Sequence, residues 1–285
     1  MAAQGLTLVQ TIVSITSPLL LCRVIQLASG SGRKDRPRAV FSCPIAFQKA
    51  ALVTQKTAVY IDGYNFYYGR LRNTPFKWLD LVQLFDGLLK IQGGVPGIEA
   101  VKFFSAHALA RFASHGNASV QAQQAYHRAL QTLHPERFSI ILGTHSMDNS
   151  GALIPVFREG MPYDRSDRVR VWKIEEKKTD VNLAMAMYRD AAKGLYDHVV
   201  LCSNDSDAEP VLQALREDFA QVLIGVVTPV PPPDLGKGAS RGVSSSLSRH
   251  AHWTRRYILD SELAAAQLPL RIPTKKKPID KPPHW

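Results

Sequence analysis

Val199-Val200-Leu201-Cys202-Ser203-Asn204-Asp205-Ser206-Asp207 runs from an unbroken apolar segment straight into a polar loop. A short apolar run bounded by turn formers reads as a strand buried on both faces. The loop after it carries two aspartates separated by one residue, Asp205 and Asp207. Two more aspartates stand at comparable junctions. Asp62 follows Ala58-Val59-Tyr60-Ile61, and Asp180 opens a helical segment. Hard cations such as Mg²⁺ or Mn²⁺ prefer carboxylate oxygens. Open α/β sheets place ligands beyond the carboxyl ends of their strands. If folding brings the three junctions together, they form an acidic metal site.

The rest of the chain supports strands alternating with helices. Expected strands are Ala58–Ile61, Ile98–Ser105, Phe138–Leu142, Val169–Ile174, His198–Cys202 and, as the last, Val222–Val227. Expected helices are Trp78–Ile91, stopped by Gly93-Gly94, then Val120–Leu133, Asp180–Leu195 and Pro210–Phe219, with one more in Arg255–Ala266. In Asp180–Leu195 the spacing puts Val181, Ala184, Met185, Tyr188, Ala191, Ala192 and Leu195 on the buried face. This order predicts an α/β domain whose mostly parallel central sheet is covered on both faces. Right-handed crossovers would bring the strand ends to one side.

Composition sets the boundaries. The 285 residues suit one large domain or two small ones. The net charge of +11 sits mainly at the ends: residues 1–55 carry +5 and residues 271–285 carry +4, leaving +2 between them. Such tails either grip phosphate backbones or keep the chain soluble. Cys22, Cys43 and Cys202 have neither metal-ligand spacing nor the number for a disulfide framework, which fits a reducing, cytoplasmic setting. Leu6–Leu27 is apolar but broken by Gln10, Thr11, Ser14, Thr16, Ser17, Arg23 and Gln26. It lacks the basic start of a signal peptide and the clean run of a spanning helix. The expectation is a poorly ordered extension over 1–55 with a linker at 28–40, and a membrane or export segment as the alternative. The core domain is expected at 56–228, a loop and helix packing on it at 229–270, and a disordered Pro/Lys-rich tail at 271–285.

Three motifs carry the chemistry. They are Ile61-Asp62-Gly63-Tyr64-Asn65, Glu175-Glu176-Lys177-Lys178-Thr179-Asp180-Val181-Asn182 and Ser203-Asn204-Asp205-Ser206-Asp207. Each has an ordinary reading as a turn or a helix cap. Together they resemble the NYN domain, in its LabA-like branch, of the PIN-like nuclease group. Asp-Gly-x-Asn, Lys-x-x-Asp-Val and Ser-x-Asp-x-Asp follow one another in the family's order over residues 56–228. The resemblance implies a three-layer α/β/α domain, a divalent-metal site and ribonuclease activity. It also implies that Asp62, Asp180 and Asp205 hold Mg²⁺ or Mn²⁺, that Asp207 is a fourth acid, and that Asn65 and Ser203 organise the site or touch phosphate. Departures from the family pattern are Ala208, where Phe or Tyr is common, and Ala251-His252, where Ala-Asp is common.

A bound cation would invert the field of clustered carboxylates, acidify its water and accept a phosphate oxygen. Without it, repulsion should raise at least one carboxyl pKa. Lys177 and Lys178, with Arg168, Arg170 and Lys173, either meet RNA phosphates or form a solvated strand edge. Tyr64, Phe66, Tyr67 and Tyr68 either stack unpaired bases or fill the core. The leading expectation is an RNA-cleaving hydrolase. A non-catalytic RNA-binding module is the second reading, and a metal-dependent phosphatase built on the Asp205-Ser206-Asp207 pair the third. A homo-oligomer is compatible with the chain, and no membrane partner is expected.

Overall fold

Lys56–Asp62 forms the first strand, β1, and alternation decides which way each of its side chains points. Val59 and Ile61 enter one core, while Ala58 and Tyr60 enter the other. A strand buried on both sides belongs in the middle of a sheet covered on both faces, and β1 occupies that place. This computed structural model describes residues 55–92, 97–233 and 242–285. The expected N-terminal extension and linker, the Gly93-Gly94 stop, and Gly236 and Gly238 lie outside the described residues.

After β1 come a short helix α1 (Gly63–Phe66), a wider π-type turn (Tyr67–Leu71) and helix α2 (Leu81–Ile91). Strand β2 (Gly97–Ser105), helix α3 (Asn117–Leu133) and strand β3 (Phe138–Leu142) follow. Four short strands then make two antiparallel pairs. β4 (Thr144–Met147) pairs with β7 (Ile174–Lys177), and β5 (Ala152–Pro155) pairs with β6 (Arg168–Val171). Helix α4 (Thr179–Ala192) leads to β8 (His198–Cys202), a 3₁₀ turn (Ser206–Ala208), α5 (Glu209–Asp218) and β9 (Leu223–Val227). Helix α6 (Ser245–His250), strand β10 (Trp253–Arg255), helix α7 (Asp260–Ala265) and the small strands β11 (Arg271–Ile272) and β12 (Ile279–Asp280) complete the described chain.

The main sheet has six parallel strands in the order β10-β9-β8-β1-β2-β3. Counted along the chain this is the doubly wound order 3-2-1-4-5-6, whose direction reverses between β1 and β8. Helices α2, α3 and α7 cover one face; α4, α5 and α6 cover the other. The expected three-layer α/β class is therefore the architecture found.

Several local expectations are corrected. The sheet does not end at β9. Trp253–Arg255 adds a sixth strand, and the Trp253 indole fills the space over Gly225, where any Cβ would overlap it. The stretch 169–174 is not one strand but is divided between β6 and β7. Helix α2 begins at Leu81 because the Asp80 carboxylate caps it, accepting from the Gln83 N–H at 3.0 Å. Only Asp260–Ala265 is helical within 255–266. The tail is structured: β11 pairs with β12, Ile272 and Ile279 are buried, and Trp285 packs on the core beside Trp78 and Tyr126.

The buried face of α4 meets expectation only in part: Ala191 is buried and Ala184 and Tyr188 pack on the core, but Val181, Met185 and Leu195 are exposed. Leu183, Met187 and Ala191 face the sheet, whereas Val181 is 65% exposed and Met185 51%. Apolar residues nearly encircle this helix, so periodicity alone cannot choose its face. Asp190 chooses it, by accepting from the Tyr60 hydroxyl at 2.6 Å and pairing with Lys102 at 2.5 Å. A buried carboxylate must be partnered, and its partners stand on β1 and β2.

Candidate active site at the ends of β1 and β8

Asp62 ends β1 and caps α1, its Oδ1 accepting the Asn65 N–H at 2.9 Å. Gly63 follows because there is no room for a side chain. A Cβ there would lie 2.5 Å from the Phe104 carbonyl oxygen and 2.7 Å from the Phe103 ring. Crowding against β2, rather than a left-handed backbone, selects the glycine.

Directly beside Asp62, β8 ends in Ser203-Asn204-Asp205. The Ser203 hydroxyl donates to Asp62 Oδ2 at 2.9 Å and accepts the Asp205 N–H at 3.0 Å. Asn65 Oδ1 accepts the Asn204 N–H at 2.9 Å. Ser203 and Asn65 thus lock the two loops together. Asn204 extends the lock. Its Nδ2 donates to the Gly242 carbonyl at 2.9 Å, and its Oδ1 accepts the Ser244 N–H at 2.8 Å. Asp205 caps the 3₁₀ turn by accepting the Asp207 N–H at 3.2 Å.

The third junction enters through β7 and α4. Lys178 takes a left-handed conformation (φ 76°) between them, a strained state for a non-glycine residue. Thr179 is buried and its hydroxyl donates to Glu176, while Asp180 lies exposed in the first turn of α4.

The acids of the three junctions lie within reach of one another's charge. The Asp62 carboxyl is pushed up to about 6. Burial is the largest cause, the bonds from Asn65 and Ser203 pull it back, and the charges of Asp180 and Asp205 add to the rise. Asp180, although its side chain meets solvent, is raised by the partial desolvation of its carboxyl and by Asp205 and Asp207. Glu176 is raised by burial, against the Thr179 bond, and further by Asp62 and Asp180. The expected pKa rise is present, with burial ahead of repulsion as its cause. Glu176 is an acid that sequence reading left on a solvated strand edge. Its only signal was two-residue alternation with the neighbouring Glu175, which points away and pairs with Lys173 and with Lys177, the latter at 2.5 Å.

Lys177 is therefore engaged by Glu175, and Lys178 is exposed. Of the aromatics after Asp62, Phe66 is core, Tyr64 is half-buried with its hydroxyl 2.9 Å from His145 Nε2, and Tyr67 and Tyr68 are exposed.

The donor set of Asp62, Glu176, Asp180, Asp205 and Asp207 is all oxygen, which suits a hard divalent cation. No Lys or Arg among the described residues draws Asp62, Asp180 or Glu176 back down. As folded, no group of three or more His, Cys, Asp or Glu among the described residues stands in ligating position. The chemistry of the donors fits a hard cation.

Comparison with known proteins adds three findings. The family model described as NYN domain matches residues 56–244. The chain is 38% identical over 249 residues to the 6-hydroxy-3-succinoylpyridine 3-monooxygenase HspA of Pseudomonas putida, covering 81% of this chain and 75% of that protein. A crystal structure of a protein of unknown function, VPA0982 from Vibrio parahaemolyticus, aligns with 17% identity and a TM-score of 0.41 over 73% of this chain and 94% of that one.

Proposed function

The chain belongs to the NYN-domain family, and on that footing we propose that it is a divalent-metal-dependent ribonuclease. The observation that carries this reading is the electrostatic coupling of Asp62, Asp180 and Asp205 at the point where the sheet reverses direction. Asp62 and Asp180 are raised by burial and by the acids around them, and a divalent cation relieves that repulsion more fully than a proton does.

Asp62, Asp180 and Asp205 would hold Mg²⁺ or Mn²⁺. When bound, the ion supplies charge neutralisation for phosphate and a water acidic enough to attack it. Ser203 and Asn65 keep Asp62 and the β8 loop in register. Asp207, exposed at the rim, would orient the attacking water and take its proton. Glu176 gives the site a further negative charge and strengthens its selection for a divalent over a monovalent ion. Substrate would reach the site from the exposed side, where Asp180, Lys178 and Asp207 face solvent. A reducing compartment suits the buried free thiol of Cys202. Among the described residues no helix is long and apolar enough to cross a membrane.

The test is cleavage of an unstructured RNA with Mn²⁺ or Mg²⁺ by wild type, Asp62→Asn and Asp205→Asn. Loss in both variants with folding retained supports the site. Equal cleavage by all three removes it.

A second reading follows from the 38%-identical relative named as a monooxygenase of a hydroxylated pyridine. In that reading the chain would hydroxylate a small aromatic ring, consuming dioxygen and two electrons from an external donor and releasing water. An aromatic-lined cavity next to the Asp62 turn supports it. Oxygen uptake coupled to loss of a hydroxypyridine, with RNA left intact, would favour this reading over the first.

A further inference from the structure

A cavity of about 390 Å³ is lined partly by the turn that follows Asp62. Its walls come from Tyr64 and Phe66 of that turn, Phe103 of β2, Tyr126 of α3, and the C-terminal His284 and Trp285. Phe66, Phe103 and Tyr126 are buried, so part of its wall is aromatic. None of the acids described above lines it.

Three features point to a ligand. The first is size. A dry cavity of about 150 Å³ accepts a benzene ring, so this one has room for a single ring and a side arm. The second is charge. Arg72 and Lys77 line the cavity, and among the described residues neither forms an ion pair with a carboxylate. Arg72 lies over the Tyr68 ring, 5.4 Å from its centre. Protonation of His284 is disfavoured by burial first, then by His115 and by Lys77. The third is an orphan. His284 Nε2 is buried without a hydrogen-bond partner, and such an atom costs free energy until something satisfies it.

We propose that this cavity binds a single-ring aromatic carboxylate. The ring lies against Phe66, Phe103 and Tyr126. The carboxylate meets Arg72 and Lys77, and a turn of the His284 ring brings Nε2, buried in the free chain, to a polar atom of the ligand. Two cations are enough for one carboxylate and too few to follow a phosphate backbone, whose binding rests on many such contacts. The inference concerns binding alone and does not depend on RNA cleavage at the acids.

The experiment is calorimetric titration of the full chain with 4-phenylbutanoate and pyridine-3-carboxylate. The neutral 4-phenylbutanamide, adenosine 5′-monophosphate and a short oligouridylate are the comparisons. The expected result is saturable one-site binding of an acid, at least tenfold weaker for the amide. It should weaken at least tenfold in the double variant Arg72→Gln/Lys77→Gln, whose positions lie outside the core and leave the fold intact. Ser119→Trp, which fills the cavity from α3, should abolish it, with circular dichroism verifying the fold. No saturable binding of either acid overturns the proposal. So does equal affinity for acid and amide, or tighter binding of the nucleotide or oligonucleotide at the same residues.

Discussion

Ser203 Oγ lies 2.9 Å from Asp62 Oδ2, and this bond joins the ends of the two strands between which the sheet changes direction. Ser203 also accepts the Asp205 N–H, so one buried hydroxyl fixes two of the three proposed metal-holding acids. Ser203→Ala should therefore cost about 1–3 kcal/mol, the usual penalty for leaving buried polar groups unpaired. Urea unfolding measures that cost. On the nuclease reading, turnover should fall further than RNA affinity, because the loss is in carboxylate placement. An unchanged turnover would separate Ser203 from the chemistry.

Asp180 gives a prediction whose effect depends on metal. It gains from the dipole at the start of α4 and loses by repulsion from Asp205 and Asp207. These offset, so Asp180→Asn should change apo stability by less than about 1 kcal/mol. Saturating Mn²⁺ should stabilise wild type by about 2.7 kcal/mol at a hundred times its Kd, and that increment should largely vanish in Asp180→Asn. Thermal melts with and without Mn²⁺ would check both halves.

Two buried histidines make stability depend on pH. Burial holds His198 and His127 down to about 4, from an ordinary value of 6.5. The Trp253 Nε1–H donates to His198 Nε2 at 3.2 Å, while Nδ1 lies 3.2 Å from Thr57 Oγ1. The neutral ring with its proton on Nδ1 satisfies both bonds. Between about pH 6.5 and 4 the unfolded chain takes up protons that the folded chain refuses. Stability is thus full above pH 6.5 and falls as pH drops towards 4, by up to about 3 kcal/mol for each histidine. Asp62, raised to about 6, acts in the opposite sense over part of this range. Urea midpoints from pH 7 to 4 should fall, and the slope should be shallower in His198→Gln, which keeps an acceptor for Trp253. An identical slope would show that His198 does not titrate in this way.

Gly225→Ala tests the sixth strand. The added methyl overlaps the Trp253 indole, and overpacking of this kind costs about 1–3 kcal/mol. The near-ultraviolet circular dichroism of the tryptophans should change with it. Wild-type stability and spectrum would mean that Trp253 can pack elsewhere.

The parts of this protein legible in its sequence are those set by neighbours along the chain. The short apolar runs Ala58–Ile61 and Val199–Cys202 identified two central strands, and an aspartate at or just past each strand end marked where chemistry would sit. The face of α4 was misread because Val181, Met185 and Leu183 are all apolar, and only the Asp190–Lys102 pair on a distant strand selects among them. Glu176 looked like a surface residue because its closeness to Asp62 arises from the packing of β7 and α4.

By itself, the sequence determined the alternating α/β elements, the family, and the seating of Asp62, Asp180 and Asp205 at element ends. Local apolar spacing suffices for that, since each element is specified by residues a few positions apart. Only the tertiary structure decided that β8 lies beside β1, that Ser203 reaches Asp62, that β10 and the tail join the core, and that an aromatic cavity forms against Trp285. Those outcomes depend on burial and pairing between residues far apart in the chain, from 28 positions for Gly225 and Trp253 to 141 for Asp62 and Ser203. Spacing along the chain carries no record of them, because they form only when both cores close on the sheet together.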